Sequence, residues 1–461
     1  MTTSSPDAVR RLRDDVVGRG LVAGLPAAFL AGITRFGQPP RAELDALAAE
    51  VDGLAGRLAS GAVHGGDLPL LTRVLYLAGQ ADLLAVHGVL SPMYDLLGGF
   101  RDNLARPLGP RQPGRPTAGT RRWPLLGRRI GFPIGVPACV LNGSEAWVRH
   151  NVANGWNVLT YKTVRGRAHP PNEQPNWVFA ARETASLPPG ADADVVADPW
   201  DWVPPGSPEV SSVNSFGVPS PEPEEWMADL ERALQAVGDE QLLLVSVMGE
   251  DADGTGRVAD LAADFARTAL MAQEAGASVV ELNLSCPNTL DRTASGVKPP
   301  LCLDPGATVT VVDTVRRALD DRTGLVAKLS WLDEPRLSAL VPELASLVDG
   351  IAGINTVQSR VRRRDGTPTF PGRELAGLSG IAVREPALDF TRRLVALRDA
   401  GGAPFDVLAM GGVTDTASFE ALFGLGADAV QSAAGAFADP FLAAACVAEL
   451  GTTLPRAVEA P

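Results

Sequence analysis

The run Ser278-Val279-Val280-Glu281-Leu282-Asn283-Leu284 is short, apolar and rich in β-branched residues, which is the composition of a buried β-strand. It lies between residues 258–275 and 307–319, where apolar positions recur at the three- and four-residue spacing of an amphipathic helix. Similar runs recur along the chain, most of them separated by helical stretches. We predict eight strands, at residues 134–139, 158–163, 242–247, 278–284, 325–330, 350–356, 406–411 and 427–433.

Strands that alternate with helices in this way predict an α/β fold, a closed (β/α)8 TIM barrel. A doubly wound open sheet is the alternative, but the first strand is not followed by GxGxxG, the phosphate-binding turn of dinucleotide sites. Two connections, residues 164–222 and 357–384, are long, and connections of this length form lids or contain small strands. Residues 122–126 and 129–132 flank Gly127 and predict a hairpin that closes the bottom of the barrel.

The chain before the first strand has a different pattern. Residues 42–58 and 70–84 show helical spacing, and no alternating strand pattern interrupts them. Residues 106–122 are rich in proline, glycine and arginine, as a linker is. We therefore predict an N-terminal helical domain with its linker over residues 1–123, and the barrel over residues 124–461.

Composition excludes several classes of protein. With 45% hydrophobic and 21% charged residues the chain can bury a large core, and its net charge of −13 argues against a free-standing nucleic-acid binder. The four cysteines form no CxxC pair, so a zinc ribbon or an iron–sulfur cluster is not expected, and Cys139 and Cys446 are predicted to be core residues. The apolar run 21–33 contains a proline and is too short to cross a bilayer. These features predict a cytoplasmic protein without firm membrane association.

Active sites of such barrels gather at the carboxyl ends of the strands. Two of the only three lysines, Lys162 and Lys328, end predicted strands there. Asparagines follow several strands, and a side-chain amide presents donors and an acceptor in one plane, which suits a flat pyrimidine or imide. Glycines after the last strands let backbone N–H groups approach a phosphate. The four histidines show no ligand spacing, so we predict no catalytic metal.

The run Glu281-Leu282-Asn283-Leu284-Ser285-Cys286-Pro287-Asn288 resembles the signature of class 1 dihydroorotate dehydrogenases and of the pyrimidine-reducing domain of dihydropyrimidine dehydrogenase. The resemblance covers about residues 124–445. Its other elements occur in the order of that family: Tyr161-Lys162-Thr163-Val164, Val213-Asn214-Ser215-Phe216-Gly217, Ala327-Lys328-Leu329-Ser330, Ile354-Asn355-Thr356, Gly377-Leu378-Ser379-Gly380 and Gly411-Gly412-Val413.

This resemblance implies a barrel that binds FMN and moves a hydride between C6 of a dihydropyrimidine and flavin N5, in pyrimidine metabolism. A loop cysteine, here Cys286, would exchange the C5 proton, with Lys162 as the second catalytic residue. The implied substrate-binding residues are Asn214, Phe216, Gly217, Asn283, Asn288, Asn355 and Thr356. The implied cofactor-binding residues are Ala138, Lys162, Thr163, Asn214, Asn283, Lys328, Asn355, Gly380, Gly411, Gly412, Ala433 and Ala434.

The chain also departs from the family pattern. At the last strand it reads Gln431-Ser432-Ala433-Ala434 where the family usually has a Gly-Thr or Gly-Ser phosphate turn, and residues 1–123 are not part of the resemblance. These departures leave open a flavoenzyme of specialised metabolism with another substrate. A Schiff-base lyase that uses Lys162 or Lys328 and a non-catalytic barrel are further alternatives. The electron acceptor is also open, whether a small molecule or a separate reductase, and family members are often homodimers.

Overall fold

The computed structural model describes residues 6–34, 41–64, 67, 70–71, 74–75, 94, 99–105, 107, 117–181, 184, 186–191, 194–198, 207–251, 254–285 and 299–459. The described N-terminal residues are mainly helical, as predicted, whereas most of the predicted helical stretch 70–84 and of the predicted linker 106–122 lies outside the described residues. The helices are α1 (Pro6–Gly18), α2 (Leu25–Thr34), α3 (Arg41–Ser60) and α4 (Phe100–Ala105). Helices α1 to α3 pack on one another through fully buried side chains such as Leu12, Phe29 and Leu54. The division of the chain at residue 123 stays a prediction.

Eight parallel strands close into a barrel, which confirms the predicted fold class. Closure is made where the last barrel strand pairs with the first, with Val430 opposite Ile134, so the open sheet is excluded. Several strands end earlier than predicted, among them the first, which ends at Val136 instead of Cys139. In chain order the strands are β3 (Ile134–Val136), β4 (Val158–Arg165), β8 (Leu242–Met248), β9 (Val279–Asn283), β10 (Gly324–Lys328), β11 (Gly350–Gly353), β14 (Asp406–Met410) and β15 (Ala429–Gln431).

Helices cover the barrel, and side-chain caps fix where several of them begin. Ser144, Asp304 and Asp333 each accept a hydrogen bond from a backbone N–H in the first turn, and Asp415 forms a capping box with Ser418. The helices are α5 (Glu145–Ala153), α6 (Pro223–Gln235), α7 (Val258–Glu274), α8 (Pro305–Ala318), α9 (Glu334–Leu344), α10 (Arg384–Ala400), α11 (Thr416–Gly424), α12 (Ala434–Ala438) and α13 (Leu442–Leu450). None of the described helices is long and apolar enough to cross a membrane. The cytoplasmic location stays a prediction.

The predicted hairpin is present at the bottom of the barrel. Strands β1 (Arg121–Leu125) and β2 (Arg128–Ile130) pair antiparallel, and strand β16 (Val458–Glu459) adds to β1. The turn needs two left-handed residues, Leu126 (φ 48°) and Gly127 (φ 71°). The backbone N–H of Leu126 donates to the carboxylate of Asp406, the first residue of β14, and so attaches the hairpin to the barrel floor.

The two long connections contain small strands, as predicted, and these strands build a second sheet above the carboxyl mouth. The strands are β5 (Trp177–Phe179), β6 (Asp194–Val196), β7 (Ser211–Asn214), β12 (Val357–Arg362) and β13 (Leu375–Gly380). The sheet has the order β5-β7-β13-β12-β6. Its members β7 and β13 end at Asn214 and Gly380, two of the predicted site residues.

Candidate active site

A cavity of about 620 Å³ lies at the carboxyl ends of the barrel strands, beneath the second sheet. Its size suits a drug-sized ligand or a cofactor. Of the predicted site residues, those that line it are Ala138, Lys162, Thr163, Asn214, Phe216, Gly217, Asn283, Lys328, Asn355, Thr356, Gly380, Gly411, Gly412, Ala433 and Ala434. Cys286 and Asn288 lie outside the described residues. The structure thus brings the described candidates together, while their roles in binding and catalysis stay predictions.

Lys162 reaches the cavity from an irregular part of strand β4. The pairing of β4 with β8 shifts register between Tyr161 and Val164, and Lys162 and Thr163 occupy the shifted segment. Such bulges redirect side chains and are common beside active sites. The Lys162 ammonium lies 5.9 Å from the centre of the Phe216 ring, within the range of a cation–π contact.

Lys328 is held in place by a buried carboxylate. Its ammonium lies 3.8 Å from Oε1 of Glu281, and the two side chains are 2% and 0% exposed. Burial raises the pKa of Glu281, while the Lys328 charge and the Ser246 hydroxyl partly offset that effect. The nearby Lys328 ammonium thus offsets part of the cost of burying this carboxyl group. Lys328 therefore presents a fixed cation at the floor of the cavity.

A chain of hydrogen bonds orients two of the asparagines. Asn283 Nδ2 donates to Thr163 Oγ1 at 3.0 Å, and Asn283 Oδ1 accepts from Ser285 Oγ at 2.8 Å. Asn355 Nδ2 donates to the same Ser285 oxygen at 2.5 Å, and Asn355 Oδ1 accepts from the backbone N–H of Thr356 at 2.8 Å. These contacts fix the plane of each amide and, among the described residues, use one of its two N–H bonds.

Ser285 is a site residue that sequence reasoning did not single out. It stands inside the quoted signature, between an asparagine and the cysteine that carry the expected chemistry. Its role as a bridge between Asn283 and Asn355 depends on how strands β9 and β11 end, which residue type alone does not reveal.

Glycines shape one side of the cavity. Gly380, Gly411 and Gly412 have φ of 88°, 125° and 72°, a region that favours glycine. A Cβ at Gly380 would lie 2.1 Å from the carbonyl oxygen of Val210, and one at Gly412 would lie 2.5 Å from Cβ of Arg384. All three glycines line the cavity, and a side chain at these positions would collide with neighbouring protein atoms.

The residues from Gln431 to Ala434, where the sequence departs from the family pattern, line the cavity with small side chains at its end. Gln431 is fully buried, and its Nε2 donates to Thr160 Oγ1 at 3.1 Å. Ser432 donates from Oγ to the carbonyl oxygen of Val413 at 2.6 Å, which ties this turn to the loop after β14. Ala433 and Ala434 then line the cavity with the smallest side chains that carry a Cβ.

Cys139 is partly buried against the core, as expected, but it also lines the cavity, because β3 ends at Val136 and Cys139 lies in the loop that follows. Cys446 is buried as expected. Burial raises the pKa of the Cys139 thiol to about 11, so this thiol is protonated near neutral pH. Among the described residues no group of three or more His, Cys, Asp or Glu side chains could hold a metal ion.

Barrel and cavity together define an α/β-barrel enzyme with a polar, lysine-containing site at its carboxyl mouth. Residues 206–454, more than half of the chain, match the family model for dihydroorotate dehydrogenase. The chain therefore belongs to the dihydroorotate dehydrogenase family, and it is a flavin-dependent dehydrogenase.

Three relatives illustrate the range of the similarity. A dihydroorotate dehydrogenase of Dictyostelium discoideum is 28% identical over 365 residues, which are 76% of this chain and 95% of that protein. The NAD-dependent dihydropyrimidine dehydrogenase subunit PreA of Escherichia coli K12 is 27% identical over 231 residues, 46% of this chain and 48% of that protein. The catalytic subunit of dihydroorotate dehydrogenase B (NAD(+)) from Staphylococcus carnosus is 30% identical over 182 residues, 38% of this chain and 54% of that protein.

Proposed function

We propose that the protein binds FMN in this cavity and oxidises or reduces the C5–C6 bond of dihydroorotate, another dihydropyrimidine or a related cyclic imide. The observation that carries the proposal is the convergence of two lysines and three asparagines on one cavity, namely Lys162, Lys328, Asn214, Asn283 and Asn355. Bound there, FMN would supply a ring that accepts or returns a hydride.

The residues present fit FMN. Gly380, Gly411 and Gly412 line the cavity with backbone at positive φ, and backbone N–H groups in such turns can cradle a phosphate. Ala433 and Ala434 extend the same wall, so the missing Gly-Thr turn does not block it. Lys328, compensated by Glu281, supplies the cation that suits the electron-rich edge of a flavin ring.

The chain's own residues would bind and orient the second ring. Asn283 and Asn355 have their amide planes fixed by Ser285 and can each offer an N–H to a carbonyl of a cyclic imide. Asn214 lies on β7, where its Nδ2 donates to the carbonyl oxygen of Gly377 at 3.3 Å, and Phe216 adds an aromatic wall. The second sheet above the cavity would exclude water from the reacting bond.

A cysteine would move the remaining proton. In the oxidative direction we propose that Sγ of Cys286 takes the proton from C5 of the substrate, and that it returns the proton in the reverse direction. The Cys139 thiol is a poor substitute, because its raised pKa of about 11 keeps it protonated. The support for Cys286 is its place in the signature, directly after the bridging Ser285.

We further propose a separate electron acceptor, either a small molecule or a reductase. Two of the relatives are named as subunits, which supports a separate protein partner. We propose a homodimer because the family resemblance of the sequence implies one. Size-exclusion chromatography with light scattering measures the number of subunits, and the same run with a candidate reductase measures whether the two proteins form a complex.

Turnover of matched variants tests the proposed mechanism. Wild-type protein, Cys286→Ala and Cys286→Ser would be purified, their released flavin identified by chromatography, and turnover measured with dihydroorotate and dihydrouracil. FMN in all three proteins, with turnover that falls at least about 100-fold in Cys286→Ala, is the expected result for a lost general base. Full turnover in Cys286→Ala would remove the cysteine from the mechanism. A flavin-free protein whose lysine is trapped on substrate by borohydride would support the Schiff-base lyase instead.

A further inference from the structure

Two aromatic residues of the N-terminal region are buried against the wall of the cavity. Tyr94 is fully buried and Phe100 is 7% exposed. Both precede residues 206–454, so they lie outside the part of the chain that matches the family model. Their surroundings therefore show what the N-terminal region contributes to this particular enzyme.

The contacts of both rings lead directly to the cavity. Phe100 lies 6.0 Å and Tyr94 5.7 Å from the ring of Phe216, measured between ring centres. Tyr94 also lies 5.8 Å from Trp177, which stacks on Phe437 at 4.8 Å. Since Phe216, Trp177 and Phe437 all line the cavity, Tyr94 and Phe100 form the layer directly behind its aromatic wall.

The same layer approaches Lys162. The ammonium of Lys162 lies 6.0 Å from the ring centre of Phe100 and 5.9 Å from that of Phe216. Both distances are within cation–π range, so the two rings together favour one position of a long, flexible side chain.

Polar contacts fix these aromatic residues to the barrel. The Tyr94 hydroxyl donates to Asn176 Oδ1 at 2.8 Å, next to Trp177. Helix α4, which begins with Phe100, is attached to α5 because Trp147 Nε1 donates to the carbonyl oxygen of Asn103 at 2.6 Å. The carbonyl oxygen of Leu104 accepts from the Ser144 hydroxyl, also at 2.6 Å. These bonds restrict the movement of α4 relative to the barrel.

We infer that the N-terminal region is a component of the active site, in which Phe100 and Tyr94 are positioning residues that hold Lys162 and Phe216 in the cavity wall. The inference rests on the proposed function for its kinetic consequence, since it takes this cavity to be the catalytic one. Its structural content, the restraint on Lys162, holds whether or not the ligand is a dihydropyrimidine.

The low lysine content gives a direct test of that restraint. The chain contains only three lysines, Lys162, Lys298 and Lys328, so acetylation by an N-hydroxysuccinimide ester followed by peptide mass spectrometry measures each one separately. The variants would be Phe100→Ala and Phe100→Leu in the full-length protein. Phe29→Ala is the matched control, because Phe29 is fully buried in α2 and belongs to the N-terminal helices.

We expect the acetylation rate of Lys162, relative to that of Lys298, to rise about fivefold in Phe100→Ala and to stay at the wild-type value in Phe29→Ala. In turnover assays Phe100→Leu should raise KM about tenfold with a smaller change in kcat, because it keeps the apolar volume but removes the cation–π contact. Tyr94→Leu, which removes the ring, should also raise KM. Tyr94→Phe, which keeps the ring, should have a KM closer to the wild-type value.

Two results would overturn the inference. One is a Lys162 acetylation rate in Phe100→Ala that does not exceed the rate in Phe29→Ala. The other is a Phe100→Leu enzyme with wild-type KM. Acetylation needs neither flavin nor turnover, so a protein that binds no FMN would disprove the proposed function while the restraint on Lys162 is still measured.

Discussion

Replacing Ser285 by alanine tests the hydrogen-bond chain that orients the asparagines. The substitution removes one hydroxyl and with it two contacts, the donor to Asn283 Oδ1 at 2.8 Å and the acceptor for Asn355 Nδ2 at 2.5 Å. The Asn283 amide keeps its hydrogen bond to Thr163, and the Asn355 amide keeps its hydrogen bond to the backbone of Thr356. Each amide can therefore rotate without leaving the cavity. The expected defect is a loss of orientation rather than a loss of the fold.

The magnitude follows from the two bonds. A typical hydrogen bond between protein groups contributes about 1 kcal/mol net, so the pair corresponds to roughly 2 kcal/mol. If that free energy is used to hold the substrate ring in the reactive geometry, kcat/KM should fall about 30-fold. The free energy of unfolding should fall by no more than the same ~2 kcal/mol.

Steady-state turnover with an artificial electron acceptor measures the effect. Ser379→Ala is the matched control, because Ser379 also lines the cavity but its hydroxyl pairs with Ser212 at 2.9 Å and leaves the asparagines untouched. Ser285→Thr, which keeps a hydroxyl, should recover most of the activity. A Ser285→Ala enzyme with kcat/KM within twofold of the Ser379→Ala value would refute the claim that this chain orients the substrate.

Three further substitutions test the framework of the site. Burial raises the pKa of Asp406 from 3.8 to about 6, so its charged form costs ~3 kcal/mol above pH 6, and lowering the pH from 6 to 4 removes this cost. Asp406→Asn should therefore stabilise the protein against urea by up to ~3 kcal/mol at pH 8 and by little at pH 4; equal effects at both pH values would contradict this. Lys328→Met removes the cation that partly offsets the raised pKa of Glu281 and so raises that pKa further. The loss of stability, ~3 kcal/mol, should therefore grow only as pH rises above the raised pKa that Glu281 has in the wild-type protein, and Glu281→Gln in the same chain should recover part of it. Gly380→Ala would place Cβ 2.1 Å from the Val210 carbonyl oxygen at a φ of 88°. We therefore expect thermal unfolding to show a loss of stability of at least ~2 kcal/mol, together with a lower FMN content of the purified protein. A wild-type stability and a wild-type FMN content would show that the backbone at Gly380 has room for a Cβ.

Much of the fold could be predicted because its signals are local. The barrel strands are short β-branched runs between amphipathic helices, and each can be recognised without its neighbours. The position of the site could be predicted because active sites of these barrels lie at the carboxyl ends of the strands. Lys162, Lys328 and Asn283 could therefore be assigned to one site from the sequence alone.

The remaining features depend on contacts between distant parts of the chain. The end of strand β3 at Val136, three residues before Cys139, could not be predicted because element ends depend on pairing with neighbours. Ser285 is a bridge only because two strands end side by side. The approach of Tyr94 and Phe100 to Phe216 joins residues more than a hundred positions apart, and periodicity carries no information about such contacts.

Anaerobic titration of the purified protein with dihydroorotate, and then with dihydrouracil, tests the central claim most directly. The account predicts a yellow protein whose oxidised-flavin absorbance is bleached by one of these compounds at one equivalent per bound flavin, and far more slowly in Cys286→Ala. A yellow protein that neither compound bleaches would keep the flavoenzyme, exclude dihydroorotate and dihydrouracil as its substrates and point to a specialised substrate. A colourless protein that does not take up added FMN would contradict the account itself.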